Sequence, residues 1–102
     1  MADPRALFFV GRSRKDLESF PASARGAALR QIRRVQDGDE PTDWKPMKTV
    51  GSGVNEIRIH DAAGAFRVIY IAKLKDAVYV LHCFEKKSQK TSRADLELAS
   101  RR

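Results

Sequence analysis

Apolar and polar positions alternate strictly over much of the second half of the chain. From Glu56 to His60 the charged or polar residues Glu56, Arg58 and His60 flank Ile57 and Ile59. Such a period of two is the mark of a half-buried strand. The pattern predicts three strands, Val54–His60, Phe66–Lys73 and Ala77–Glu85. The connections at 61–64 and 74–77 are short enough for hairpins, so the three strands form an antiparallel meander. Earlier in the chain, the apolar run Ala6–Val10 stops at Gly11 and is long enough for one buried strand. Ser13-x-x-Asp16 then has the form of a helix cap, and a short helix is expected from Arg14 to Phe20.

Pro21 suits the first position of a second helix, where its missing N–H matters least. There Ala24, Ala28, Leu29, Ile32 and Val35 fall within one arc of a 3.6-residue wheel, with Arg30 and Arg34 opposite. Arg25 lies inside the apolar arc, so its stem is expected to pack while its head reaches a carboxylate. Gly38, between Asp37 and Asp39, is placed to end the helix in a left-handed cap. Residues 37–46 read as a loop with two prolines, in which Trp44 either covers the core edge or stacks on a base. An extended segment is expected from Met47 to Val50, then a turn at Gly51-Ser52-Gly53. Ser92-x-x-Asp95 caps a last helix, Arg93 to about Arg101. The order β-α-α-β-β-β-α implies one α+β domain over residues 1–102. It predicts a mainly antiparallel four-stranded sheet with helices packed on one face.

Composition narrows the function classes. The chain has 102 residues, 42% of them apolar, which is a globular rather than a disordered composition. No apolar run approaches the roughly 18–20 residues that span a bilayer, and no membrane association is expected. The first residues are too few and too polar to lead a signal peptide. A single cysteine excludes an intramolecular disulfide and a multi-cysteine metal site, and suits a reducing cytoplasm. The net charge is +7, and residues 47–102 carry most of it, with eleven basic against six acidic residues. A surplus on one half suggests a polyanionic partner, although small basic domains are also often merely soluble.

The chemistry is concentrated in the meander. If 60 pairs with 65, Arg58 lies opposite Arg67. If the second turn is the two-residue Lys75-Asp76, 69 pairs with 82 and 67 with 84. Arg67, His82 and Phe84 then share a face, with Val80 on the same side as His82. Two arginines directly opposite each other destabilise a sheet unless an anion, or Glu56 or Glu85, sits between them. The plain alternative is a pair of surface arginines neutralised by Glu56 and Asp61. His82 is either a core-edge histidine or an acid–base group. His60, beside a turn, is expected to be exposed. The two histidines lack the spacing of a metal pair, so no metal or other cofactor is expected. Cys83 has the character of a small buried residue. Lys86, Lys87 and Lys90, following Phe84, combine phosphate-neutralising cations with a stacking surface.

Three strings carry a family resemblance. They are Gly51-x-Gly53-Val54-x-Glu56-Ile57-Arg58-Ile59, Phe66-Arg67-Val68-Ile69-Tyr70, and Val80-Leu81-His82-x-Phe84-x-Lys86-Lys87-Ser88-Gln89-Lys90-Thr91. With Asp95-Leu96-Glu97-Leu98 following, the chain resembles the RelE/ParE superfamily of toxin–antitoxin toxins, in particular its phage-derived HigB-like branch. The resemblance implies a toxin that enters the ribosome and cleaves messenger RNA there without a metal. It also implies a helix-turn-helix antitoxin that blocks the toxin, with operator DNA bound only through the complex of the two. On this resemblance Arg58, Arg67, His82 and Lys86 are the expected catalytic residues. Arg58 and Arg67 would hold the scissile phosphate, and His82 would be acid or base, with Lys86 or Lys87 as substitutes. Lys48, Tyr70, Phe84, Lys87 and Lys90 would bind RNA. Two other functions stay open: a ParE-like toxin that poisons DNA gyrase, and a non-catalytic module that binds nucleic acid or an antitoxin.

Overall fold

The structure, a computed structural model, describes residues 3–72, 76–87 and 92–102. In chain order its elements are β1 (Ala6–Phe9), α1 (Ser13–Glu18), α2 (Ala22–Gln36), β2 (Trp44–Pro46), β3 (Val54–Asp61), β4 (Gly64–Ile71), β5 (Ala77–Lys86) and α3 (Arg93–Arg101). The strands form a sheet in the order β1-β5-β4-β3-β2. β1 runs parallel to β5 and the other neighbours are antiparallel. The fold is α+β, as the sequence pattern predicts, but the sheet has five strands instead of four. The added strand is β2, three residues long, within the stretch expected to be loop. The extension expected at Met47–Val50 is shifted: the strand ends at Pro46, and residues 48–50 form a turn. Pro46 lacks an N–H for the ladder, which an edge strand tolerates.

The helices do not share one face of the sheet. α1 and α2 cover the side bearing Ile57, Ile59, Phe66, Val68, Tyr70, Val78, Val80 and Cys83. Their buried contributions include Leu17, Phe20, Ala24, Ala28 and Ile32. Ala24 and Ala28 let α2 approach the strands closely, and the Phe20 ring lies 4.7 Å from that of Phe66. Leu29, at the margin of the α2 arc, stays 45% exposed. α3 packs on the opposite side, with Leu96 and Ala99 against a second core of Met47, Val54, Ile69, Leu81 and Phe84. Two apolar surfaces of one sheet need two covers, and α3 supplies the second.

Local signals behave unevenly. Gly38 has φ +89 and completes the end of α2, with its N–H bonded to Val35 O and the Asp39 N–H to Arg34 O. Ser92 caps α3, its hydroxyl accepting from the Asp95 N–H at 3.1 Å. Ser13 does not cap α1; buried, it donates to the Val80 carbonyl at 3.0 Å and ties α1 to β5. Pro21 stands one place before α2 as its cap residue. Arg25 reaches the backbone carbonyls of Glu18 and Phe20 instead of a carboxylate, satisfying the end of α1.

The register of the meander positions the polar residues. His60 pairs with Ala65 and Arg58 with Arg67, as a 60–65 closure requires. Ile69 pairs with His82 and Arg67 with Phe84, again as expected. Between these and the Tyr70–Val80 pair lies a bulge that takes up Leu81. One extra residue reverses the facing of everything beyond it. Val80 and Cys83 therefore both join the α1/α2 core, and Leu81 and Phe84 join the α3 side. Val80 and His82 do not share a face. The turn expected at 74–77 lies, apart from Asp76 and Ala77, outside the described residues.

Candidate functional site

One face of the central strands carries a group of charged side chains in register. β2 contributes Lys45, opposite Glu56 on β3. β3 contributes Glu56 and Arg58; β4 contributes Arg67, opposite Arg58; β5 contributes Lys86, opposite Ala65. Alternation along each strand aims all of them to the same side. Burial falls off outward: Glu56 is fully buried, the Arg67 side chain is 6% exposed, that of Arg58 is 32% exposed, and Lys86 is half-buried.

Glu56 supplies the anion that the opposed arginines require. Its Oε1 lies 3.6 Å from Arg67 Nε and 3.8 Å from Arg58 Nε. Glu85, the other candidate, pairs with Phe66 and is exposed. Asp61 does not serve the arginines either; its carboxylate accepts from the Ser23 hydroxyl and the Ala63 N–H. Asp43 adds an outer carboxylate, 3.8 Å from Arg58 Nη1 and 3.3 Å from His60 Nε2. His60 is exposed, as expected. Arg67 also donates to the Phe66 carbonyl at 3.0 Å. Burial lowers the Arg67 pKa from its ordinary value, and the charge of Glu56 opposes that shift. Partial desolvation, followed by repulsion from Arg67, likewise lowers Lys86 below the ordinary lysine value.

His82 sits on the same side but is enclosed. It is 4% exposed and stacks on Phe84, with ring centroids 5.2 Å apart. Its Nε2 is 2.7 Å from Asp95 Oδ1 on α3, and its Nδ1 is 3.6 Å from Asp16 Oδ2 on α1. Phe84 is itself buried, so it forms a wall beside Arg67 and offers no open ring face. Lys87 is exposed just beyond β5, and Lys48 is exposed in the turn before β3. Lys90 lies outside the described residues.

Tyr70 departs from its expected role. Its ring is buried in the α1/α2 core, on the far side of the sheet from the arginines, with its hydroxyl near Asn55. Alternation along β4 puts residues 67 and 70 on opposite faces, so Tyr70 has no path to a base bound there. Cys83 is buried in the same core, and desolvation raises its thiol pKa.

Lys45 and Asp43 belong to this arrangement without having been singled out by the sequence, and Asp16 and Asp95 were marked there only by their cap patterns. Lys45 could have been found only by recognising Trp44–Pro46 as a strand opposite Glu56. Among the described residues no three histidine, cysteine or carboxylate side chains gather as metal ligands would.

The fold is that of the RelE toxins. It matches a double arginine-to-alanine mutant of the E. coli toxin RelE in the free state with a TM-score of 0.65, at 15% identity over 85% of this chain and 88% of that one. A chain of the Mycobacterium tuberculosis toxin–antitoxin complex RelBE2 matches with a TM-score of 0.59, at 18% identity over 86% of this chain and 98% of that one. No curated protein sequence matches. The profile of the family described as phage derived protein Gp49-like matches residues 15–102, and the chain belongs to that family.

Proposed function

We propose that this protein is the toxin of a type II toxin–antitoxin system, HigB-like, and that it cleaves messenger RNA on the ribosome. The observation that carries this reading is the cation group on one sheet face. Arg58 and Arg67 stand opposite each other, with Lys45 and Lys86 on the same side. The RelE fold and the toxin–antitoxin origin of the RelBE2 match support it.

In this mechanism the substrate supplies its own nucleophile. The RNA 2′-OH gives up its proton to solvent water, and its oxygen attacks the adjacent phosphorus. The bond from phosphorus to the 5′-oxygen breaks, and that oxygen takes up a proton. Arg58, the more accessible arginine, holds the phosphate, and Arg67 stabilises the added charge from behind. Preorganised cations of this kind are worth about 10²–10³ in rate. Lys86, on the same side as the arginines and lowered from the ordinary lysine pKa by desolvation, protonates the leaving oxygen, a role worth about 10²–10⁴. His82, enclosed by Asp95 and Asp16, shapes the wall behind Arg67 through Phe84. Lys48, Lys87 and Lys90 neutralise flanking phosphates. No step calls for a metal. The site of action is cytoplasmic, and a helix-turn-helix antitoxin neutralises the toxin and carries the complex to operator DNA.

Induced expression followed by primer extension on cellular messages tests the reading. Growth arrest is expected, with cuts at codon-defined positions that disappear when initiation is blocked. Intact messages with a DNA-damage response would replace it with gyrase poisoning. Unimpaired growth would leave only a binding module.

A further inference from the structure

We propose that Glu56 is a positioning residue: a buried carboxylate that holds Arg58 and Arg67 in the orientation that receives the phosphate. The proposal rests on the reading of this face as a phosphate site.

Glu56 is fully buried, so it cannot touch RNA in this arrangement. Its Oε1 nevertheless lies within 4 Å of both arginines, at 3.6 Å from Arg67 Nε and 3.8 Å from Arg58 Nε. Both distances exceed the roughly 2.7–2.9 Å of a charge-assisted hydrogen bond. Neither buried Nε makes a hydrogen bond. The carboxylate therefore acts on the pair through its field, from the Nε side. Without it, two like charges would stand in direct register across β3 and β4 and repel each other. Lys45, Lys86 and Asp43 also act on this group electrically, but all three are more exposed than Glu56 and cannot replace a charge placed beneath the pair.

The same position has an opposite effect on binding. A negative charge under the site weakens attraction for a ground-state phosphate while keeping the cations aligned for the transition state. Removing that charge should therefore separate affinity from rate. Misplacing catalytic groups by about 1 Å lowers rates by about 100-fold.

Wild type, Glu56→Gln, Arg67→Gln and the double variant are compared on ribosomes programmed with a defined message. Glu56→Gln is expected to bind the programmed ribosome at least as tightly as wild type and to cleave about 100-fold more slowly at saturation. The double variant is expected to lose less than the product of the two single losses, since part of the effect of Glu56 runs through Arg67 and the rest through Arg58. Equal cleavage by Glu56→Gln and wild type would overturn the proposal, and so would a full additional loss in the double variant. The arginine Nε–H signals of the isolated protein give a ribosome-free readout. Both Arg58 and Arg67 signals should move in Glu56→Gln, while the core amide signals stay in place. Unmoved Nε–H signals overturn the positioning role. A wild type that cleaves nothing overturns the RNase reading, and the Nε–H signals then still decide whether Glu56 orients the pair.

Discussion

At the scale of single residues, burial separates two arginines that look equivalent in the sequence. Arg58 is about one-third exposed and lies between two carboxylates, Glu56 and Asp43. Arg67 is nearly buried, against Glu56 and the Phe66 carbonyl. Removing the head of Arg58 disturbs a half-exposed pair with Asp43, worth about 1 kcal/mol or less, and the longer of the two contacts to Glu56. Removing Arg67 strips a buried carboxylate of the nearer of its two arginines, and breaking a buried pair from one side costs about 3–5 kcal/mol. Both Arg58→Ala and Arg67→Ala should relieve growth arrest, but for different reasons. Arg58→Ala should unfold in urea close to wild type, whereas Arg67→Ala should be several kcal/mol less stable. A fully toxic Arg58→Ala would remove the accessible arginine from the phosphate site. Equal stability of the two variants would refute the division of roles between them.

At the scale of elements, α3 depends on His82. The helix places only Leu96 and Ala99 on the second core, a small apolar contact for nine residues. It is also held by Asp95 on His82, and by Arg102, which bonds the Leu81 carbonyl at 3.0 Å and lies 3.6 Å from Asp16. A hydrogen bond to a charged partner contributes about 1.5–3 kcal/mol. His82→Ala should therefore release α3 locally before the sheet melts. Hydrogen exchange at the α3 amides should speed up by about 10-fold or more, with β4 protection kept. Equal acceleration in β4 would mean that His82 supports the whole fold and not this helix alone. This contact also marks where the sequence stops being legible. The first hairpin register could be read because the 61–64 connection is short and the pairing follows from its closure; of the second, only the 67–84 and 69–82 pairs match the two-residue closure, and Tyr70 and Ile71 pair one residue away from it. The bulge at Leu81 could not, because Leu81 and His82 fit either facing equally well. β2 was hidden because three residues, Trp44-Lys45-Pro46, are too few to show alternation. The enclosure of His82 was hidden because its partners come from α1 and α3, far apart in sequence. The arginine pair and its anion were therefore foreseeable, while the burial of the histidine was not.

At the scale of the whole molecule, the two faces of the sheet carry opposite chemistry, and alkaline pH should report on the α1/α2 side. That core contains Cys83 and Tyr70, and desolvation raises the pKa of both. A group whose pKa is raised on folding keeps its proton in the native state after the unfolded chain has lost it. The stability it contributes is complete below its ordinary pKa and declines as pH rises above that value. For the thiol the decline begins near pH 9, and for the phenol near pH 10. Each fully shifted group then removes about 1.4 kcal/mol per pH unit. The basic surface pulls the other way, because a chain of net charge +7 repels itself less as lysines discharge. That relief is common to wild type and any uncharged core variant, so the difference between them isolates the buried group. Urea unfolding from pH 7 to 11 should show Cys83→Ala less stable than wild type at neutral pH, from lost packing. The gap should narrow steadily above about pH 9, where only wild type loses the thiol contribution. Parallel curves for the two proteins would mean that Cys83 ionises as freely in the folded chain as in the unfolded one. That result would contradict its burial beneath α1 and α2.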